Sequence, residues 1–161
     1  MLWYTVDDMH KYLLQAIEYA KAHEYDKSLC YKLCAIVVSG GNVISVGYNK
    51  HNTNAFVEHY ADQVKGKGRD FCMSTHAEQN AVLLARNKTD LTGSKIFVAR
   101  LRRHKGMDPI AMARPCPICE NVLKAYGIKR AYYTIDNDHY GIMRPGMEDD
   151  AYDKIVRTDI Y

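Results

Sequence analysis

Two short motifs set the terms for any fold of this chain: His76-Ala77-Glu78 and, after the 36 positions 79 to 114, Pro115-Cys116-Pro117-Ile118-Cys119. Each opens a helical pattern, and strand patterns lie between them. A histidine and two thiolates supply three protein ligands of a tetrahedral zinc and leave the fourth position for water, as catalytic zinc sites do and closed structural sites do not. Helix N-termini carry unpaired N–H groups and partial positive charge, which lower a thiol's pKa and favour Cys116 and Cys119 as thiolates. Either half alone says little. His-x-Glu recurs by chance, and Cys-x-x-Cys also serves as a redox pair or as part of a structural zinc knuckle. Their order and joint placement favour a catalytic Zn2+ held by His76, Cys116 and Cys119.

With 161 residues the chain has the length of one domain, 1–161, and a domain of that size buries roughly 70% of the surface its unfolded form exposes. A content of 47% hydrophobic and 25% charged residues is that of a globular protein and excludes a disordered or fibrous one. No apolar run approaches the roughly 20 residues of a membrane span. The opening segment Met1 to Asp8 carries acids where a secretory signal carries basic residues, so a cytoplasmic protein is expected. Five cysteines, an odd number with two of them in Cys-x-x-Cys, agree with a reducing compartment. A formal net charge of +3 falls short of a dedicated nucleic-acid binder and favours a small anionic ligand.

Met9, Tyr12, Leu13, Ala16, Ile17 and Ala20 recur at helical spacing, which predicts an amphipathic helix from about Asp7 to Glu24, with Thr5 and Asp8 resembling a capping box. Leu33 to Val38 and Val43 to Tyr48 read as a β-hairpin around Gly40-Gly41. Asn49 to Ser74 reads as a long functional loop with one helical turn near Ala55 to Ala61 and its least structured point at Lys65 to Arg69. Helical patterns follow at Ala77 to Arg86 and Cys116 to Tyr126, the latter closed by Gly127, and strand patterns at Lys95 to Arg100 and Arg130 to Ile135. The tail from Asp136 has little periodicity. Strands alternating with helices predict an α/β fold, a three-layer α-β-α sandwich on a mixed sheet of about five strands.

The complete pattern, His-x-Glu followed by Pro-Cys-x-x-Cys, resembles that of the zinc-dependent cytidine and deoxycytidylate deaminase superfamily. The resemblance implies a hydrolase in which Glu78 is not a ligand but the proton shuttle, passing a proton from water to the ring nitrogen beside the amino-bearing carbon and then assisting ammonia to leave. Zinc in such a site lowers the pKa of its water from about 15.7 toward about 7. The resemblance also places Ala77 among the substrate-binding positions and implies a homo-oligomer, because deaminases of this superfamily commonly complete their pockets with neighbouring subunits.

Gly47-Tyr48-Asn49 is similar to the Gly-Tyr-Asn segment of deoxycytidylate deaminases, which makes Asn49 a sugar-binding candidate; a plain turn asparagine is the alternative. Where many of those enzymes have Ser-Pro-Cys, this chain has Arg114-Pro115-Cys116, and Arg114 is suited to pair with a substrate phosphate. The basic run Arg100 to Lys105, including Arg102 and Arg103, more often marks solvated surface. Tyr132 and Tyr133 end a strand at the edge where ligands gather; alternation allows one of them into a pocket, and Tyr133 is favoured. Cys72 with His51 and His59 suggests a second structural zinc but supplies no complete set of four ligands. Cys30 and Cys34 read as small buried residues. The expected reaction is dCMP to dUMP with release of ammonia, on a small-molecule nucleotide. The alternatives are a base within nucleic acid (adenosine in transfer RNA, or cytosine in single strands), motivated by the basic segments 65–69 and 100–105, and a free nucleoside or modified pyrimidine. A non-catalytic zinc-stabilised module is a third class, against which Glu78 argues.

Overall fold

In the computed structural model, which describes residues 3–52, 55–62, 74–137, 139–145 and 156–157, apolar periodicity has become helix and alternation has become sheet. The elements are α1 (Trp3–Ala22), β1 (Tyr31–Ser39), β2 (Asn42–Tyr48), α2 (Ala55–Asp62), α3 (Ala77–Ala85), β3 (Lys95–Arg102), β4 (Ile110–Ala111), α4 (Pro117–Ala125), β5 (Arg130–Thr134), β6 (His139–Met143) and β7 (Val156–Arg157). Gly40 and Gly41, with φ of 56° and 78°, make the left-handed two-residue turn that joins β1 to β2. The strands lie in the order β2-β1-β3-β5-β6-β7, with β4 paired to β3 off this path. Only β3 and β5 run parallel; the other pairs are antiparallel, so the sheet is mixed as expected.

Alternation divides the core into two layers. Cys34, Ile36, Val38, Phe97, Ala99 and Tyr132 point to one face, where Leu13, Ala16, Ile17 and Ala20 of α1 cover them. Ala35, Val37, Ile96, Val98, Ala131 and Tyr133 point to the other, under Ala81 and Val82 of α3 and Val122 and Leu123 of α4. These are the three layers the sequence predicts. The central strands are buried on both faces, which explains why β1 reads as a nearly continuous apolar run.

Among the described residues the sheet has seven strands, three more than the four whose patterns the sequence shows. Two of the additions, β6 and β7, come from the tail, whose short segments carry no usable period and gain their hydrogen bonds from β5 and from each other. The third, β4, turns the basic run after β3 into a hairpin, pairing Arg100 with Ala111 and Leu101 with Ile110. Helix α1 already runs at Trp3, so Thr5 lies within the helix and not at its cap. Helix α2 extends over eight residues where one turn was expected. Cys34 is buried but Cys30 is exposed, contrary to the sequence reading, because it precedes the first strand and no layer covers it. The loop segment 65–69 and Cys72 lie outside the described residues. Among the described residues no helix is long and apolar enough to cross a membrane.

Candidate active site

The first motif is delivered by contacts between β2 and α3. Gly47 allows the α3 backbone to approach so closely that a Cβ at that position would lie 2.5 Å from the carbonyl oxygen of Ala77. The Ser45 hydroxyl donates to the Ala81 carbonyl at 2.6 Å, adding a buried polar tie. Beyond β2, Lys50 and Thr75 exchange backbone hydrogen bonds of 2.9 and 3.1 Å, which fixes the chain immediately before His76. His76 then serves as the N-cap of α3 with extended dihedrals (φ −78°, ψ 158°), and its N–H donates to Gln79 Oε1 at 2.8 Å. The glutamine thus settles one orphan donor at the helix start.

The second motif is delivered by Thr134. Its hydroxyl accepts the Arg100 N–H at 3.2 Å and donates to the Ala111 carbonyl at 2.9 Å, while its carbonyl accepts the Ala113 N–H at 2.8 Å. These bonds anchor the chain where it leaves the β3–β4 hairpin for the second helix. Cys116 is the N-cap of α4 (φ −72°, ψ 169°), and Pro117 at the first helical position gives up an N–H that would have no intrahelical partner.

The two N-caps meet. His76 Nδ1 lies 3.2 Å from Cys119 Sγ and 3.5 Å from Cys116 Sγ, and the three donor atoms all fall within 4.8 Å of one another. Zinc bonds of ordinary length at tetrahedral angles put nitrogen and sulfur about 3.5 Å apart, so this set fits a Zn2+ ion. Three protein donors leave a coordination position for the reaction. The Cys119 thiol donates to Cys116, which brings the Cys116 pKa down to about 4, while burial pushes Cys119 up.

Glu78 completes the cluster from the first turn of α3. It is 3% exposed, and its Oε2 is buried with no hydrogen-bond partner among the described residues. Burial raises its pKa, opposed by His76. An unpartnered buried carboxyl oxygen beside three metal donors is costly to folding and useful to acid–base chemistry.

These groups open onto a cavity of about 300 Å³ that His76, Glu78, Cys116, Asn49, Arg100 and Arg114 line together with Ser74, Ala113 and the 29–33 segment. Among the substrate-binding candidates, Asn49 and Arg114 therefore reach the cavity. The amide of Asn49 also braces β1: its Oδ1 accepts the Leu33 N–H at 2.9 Å and its Nδ2 donates to the Tyr31 carbonyl at 3.0 Å. Ala77 does not line the cavity. It is fully buried in the core layer where β2 presses on α3.

Tyr133 does not line it either. The residue points to the predicted face, but its ring occupies the space left by its cross-strand partner Gly141, where a Cβ would lie 2.2 Å from the ring, on the side of the sheet away from β1. The cavity's aromatic residue is Tyr31, and its second guanidinium belongs to Arg100. Both were missed. Their signal is alternation, since Tyr31 shares parity with Ala35 and Val37, and Arg100 with Ile96 and Val98.

The model of the cytidine and deoxycytidylate deaminase zinc-binding region matches residues 7–135. A deoxycytidylate deaminase of Mycobacterium phage D29 is 29% identical over 114 residues, covering 63% of this chain and 77% of that protein. Among solved structures, the dCMP deaminase of cyanophage S-TIM5 in apo form superposes with a TM-score of 0.50 at 24% identity, covering 82% of this chain and 86% of that one. The cytidine deaminase of Burkholderia pseudomallei superposes with a TM-score of 0.56 at 20% identity, covering 85% and 93%. These superpositions show a shared fold.

Proposed function

The chain belongs to the cytidine and deoxycytidylate deaminase family, a zinc-dependent hydrolase, and on that premise we propose that it deaminates a pyrimidine nucleotide, dCMP to dUMP. The observation that carries the choice of a nucleotide is the company the metal donors keep. Arg100 and Arg114 line the same cavity, and Glu78 is the one carboxyl among its described lining residues. A cavity of about 300 Å³ is at the lower end for small-molecule sites and suits a single nucleotide.

His76, Cys116 and Cys119 hold the metal, which when bound supplies Lewis acidity and water of lowered pKa. Glu78 takes the proton of the attacking water on its carboxylate and returns it to the ring nitrogen next to the amino-bearing carbon. The same carboxyl then serves the departing nitrogen, so a C–N bond is exchanged for a C–O bond and ammonia leaves. Burial shields the Glu78 carboxyl from bulk solvent. Asn49 presents its side chain from the end of β2 at the sugar position, and Arg114 presents a guanidinium beside the metal ligand Cys116 for the phosphate.

A second reading rests on Lys27, Lys32, Arg103 and Lys105, which surround a separate surface concavity and would suit the phosphodiesters of a polynucleotide. Incubating zinc-loaded protein with cytidine, deoxycytidine, their monophosphates, single-stranded DNA and a transfer-RNA anticodon stem separates the readings. Turnover of dCMP, followed as ammonia release with the product identified by mass spectrometry, supports the nucleotide reading. Turnover confined to polymer, with a steep fall in affinity as salt rises, would overturn it.

A further inference from the structure

Arg100 and Tyr31 come from adjacent antiparallel strands and meet inside the catalytic cavity. Their registers are offset by two residues, Tyr31 standing opposite Arg102 and Arg100 opposite Leu33, so the two side chains are diagonal neighbours on one face. The Arg100 guanidinium carbon lies 3.5 Å from the centroid of the Tyr31 ring, and its Nη1 donates to the Met112 carbonyl at 3.2 Å. An aromatic face and a main-chain acceptor hold the guanidinium from two sides. Its Nε is buried with no hydrogen-bond partner among the described residues.

Such an arrangement is over-built for a surface charge. Arginine loses much rotamer freedom when it is fixed, and a buried donor without an acceptor is destabilising. A guanidinium held in place before the ligand arrives binds an anion without paying that ordering cost again, and its planar fork matches the oxygens of a phosphate. No carboxylate meets Arg100 in the salt bridges found among the described residues.

We propose that Arg100, clamped between the Tyr31 ring and the Met112 carbonyl, is the residue by which the cavity discriminates a nucleoside monophosphate from the corresponding nucleoside. The inference rests on the deaminase reading above and adds the residue that sets its substrate class. Tyr31 is the positioning residue, acting on substrate through Arg100. Arg114, two residues before Cys116, contributes charge to the same cavity.

The test compares wild type, R100A, R100K and Y31L on dCMP and on deoxycytidine, with direct calorimetric titration of the zinc-loaded proteins by dUMP and by deoxyuridine. R100A is expected to lose kcat/KM on the monophosphate at least about 30-fold more than on the nucleoside, the scale of a lost charge-assisted hydrogen bond. R100K recovers part of that difference, and Y31L shifts KM for dCMP more than kcat. In the titrations dUMP affinity falls in R100A far more than deoxyuridine affinity. Equal losses on nucleoside and nucleotide, or equal affinities in the titrations, assign Arg100 to strand bracing alone and overturn the proposal. Absence of wild-type turnover on every pyrimidine would instead overturn the deaminase assignment, while the titrations still read Arg100 directly.

Discussion

Gly47 of β2 and Ala81 of α3 are packed backbone to backbone: a Cβ at residue 47 would lie 2.3 Å from the Ala81 amide nitrogen. Neither partner is a flexible side chain that can step aside, so any substitution must push α3 off the sheet. Because the N-cap of α3 is His76, one of the three donors that fit zinc, the displacement reaches the candidate active site. G47A should destabilise the protein by about 2–3 kcal/mol, the range of an overpacked core, and lower its zinc retention. Urea denaturation and metal analysis check both parts. A G47A protein of wild-type stability would mean that the helix has room to move.

Glu78 has an easily separated signature. It lies among the metal donors without being counted as one, so E78Q should retain zinc while turnover falls by at least about 10²–10⁴-fold, the scale of a lost general acid–base group. The measurement pairs ammonia release with metal content on the same sample. Loss of zinc in E78Q would show that the carboxyl is a ligand; retained activity would remove it from the chemistry.

Replacing one ligand should have a different outcome. C116S and C119S each remove a soft donor from a set of three, and both should lose zinc and activity together. Chelation of wild type should likewise abolish activity and lower Tm, with both restored by added zinc. Activity that survives complete chelation would contradict a metal-dependent reaction.

The α1 side of the sheet predicts an alkaline limit to stability. Burial pushes the Cys34 thiol up to about 12, and burial also raises the Tyr25 phenol, whose hydroxyl donates to the Leu33 carbonyl. Both groups hold their proton more tightly in the folded chain. Their contribution is therefore complete below the unfolded-state pKa and is lost as pH climbs toward the folded one. Between pH 9 and 10.5 the Cys34 effect amounts to at most about 2 kcal/mol. Urea midpoints at pH 7.5, 9 and 10.5 should fall, and the fall should be shallower in C34A. Parallel curves for the two proteins would show that Cys34 does not titrate with unfolding.

Cys30 and Cys34 share a side chain but not an environment. Cys30 is exposed where Cys34 is buried, so a thiol reagent at neutral pH should modify Cys30 in native protein and reach Cys34 only after unfolding. Mass mapping of the labelled peptides decides this. Native labelling of Cys34 at the rate of Cys30 would mean that α1 opens readily.

The metal set could be read from residue types and spacing because zinc chemistry restricts donors to few side chains, and because Cys-x-x-Cys at a helix start places two sulfurs together through local geometry. Helices α3 and α4 and the β1–β2 turn followed from short-range periodicity and from glycines that tolerate positive φ. The wall of the cavity lay beyond such reasoning. Alternation admits one of Tyr132 and Tyr133 to a pocket and favours neither by itself; the neighbouring strand, with Gly141 opposite Tyr133, draws that ring toward β6. Tyr31 and Arg100 are 69 positions apart, and their meeting depends on the β1–β3 register and on a hairpin whose second strand is two residues long. A linear chain specifies which chemistry its side chains can perform; cross-strand register, closed over large sequence separations, chooses which of them share a cavity.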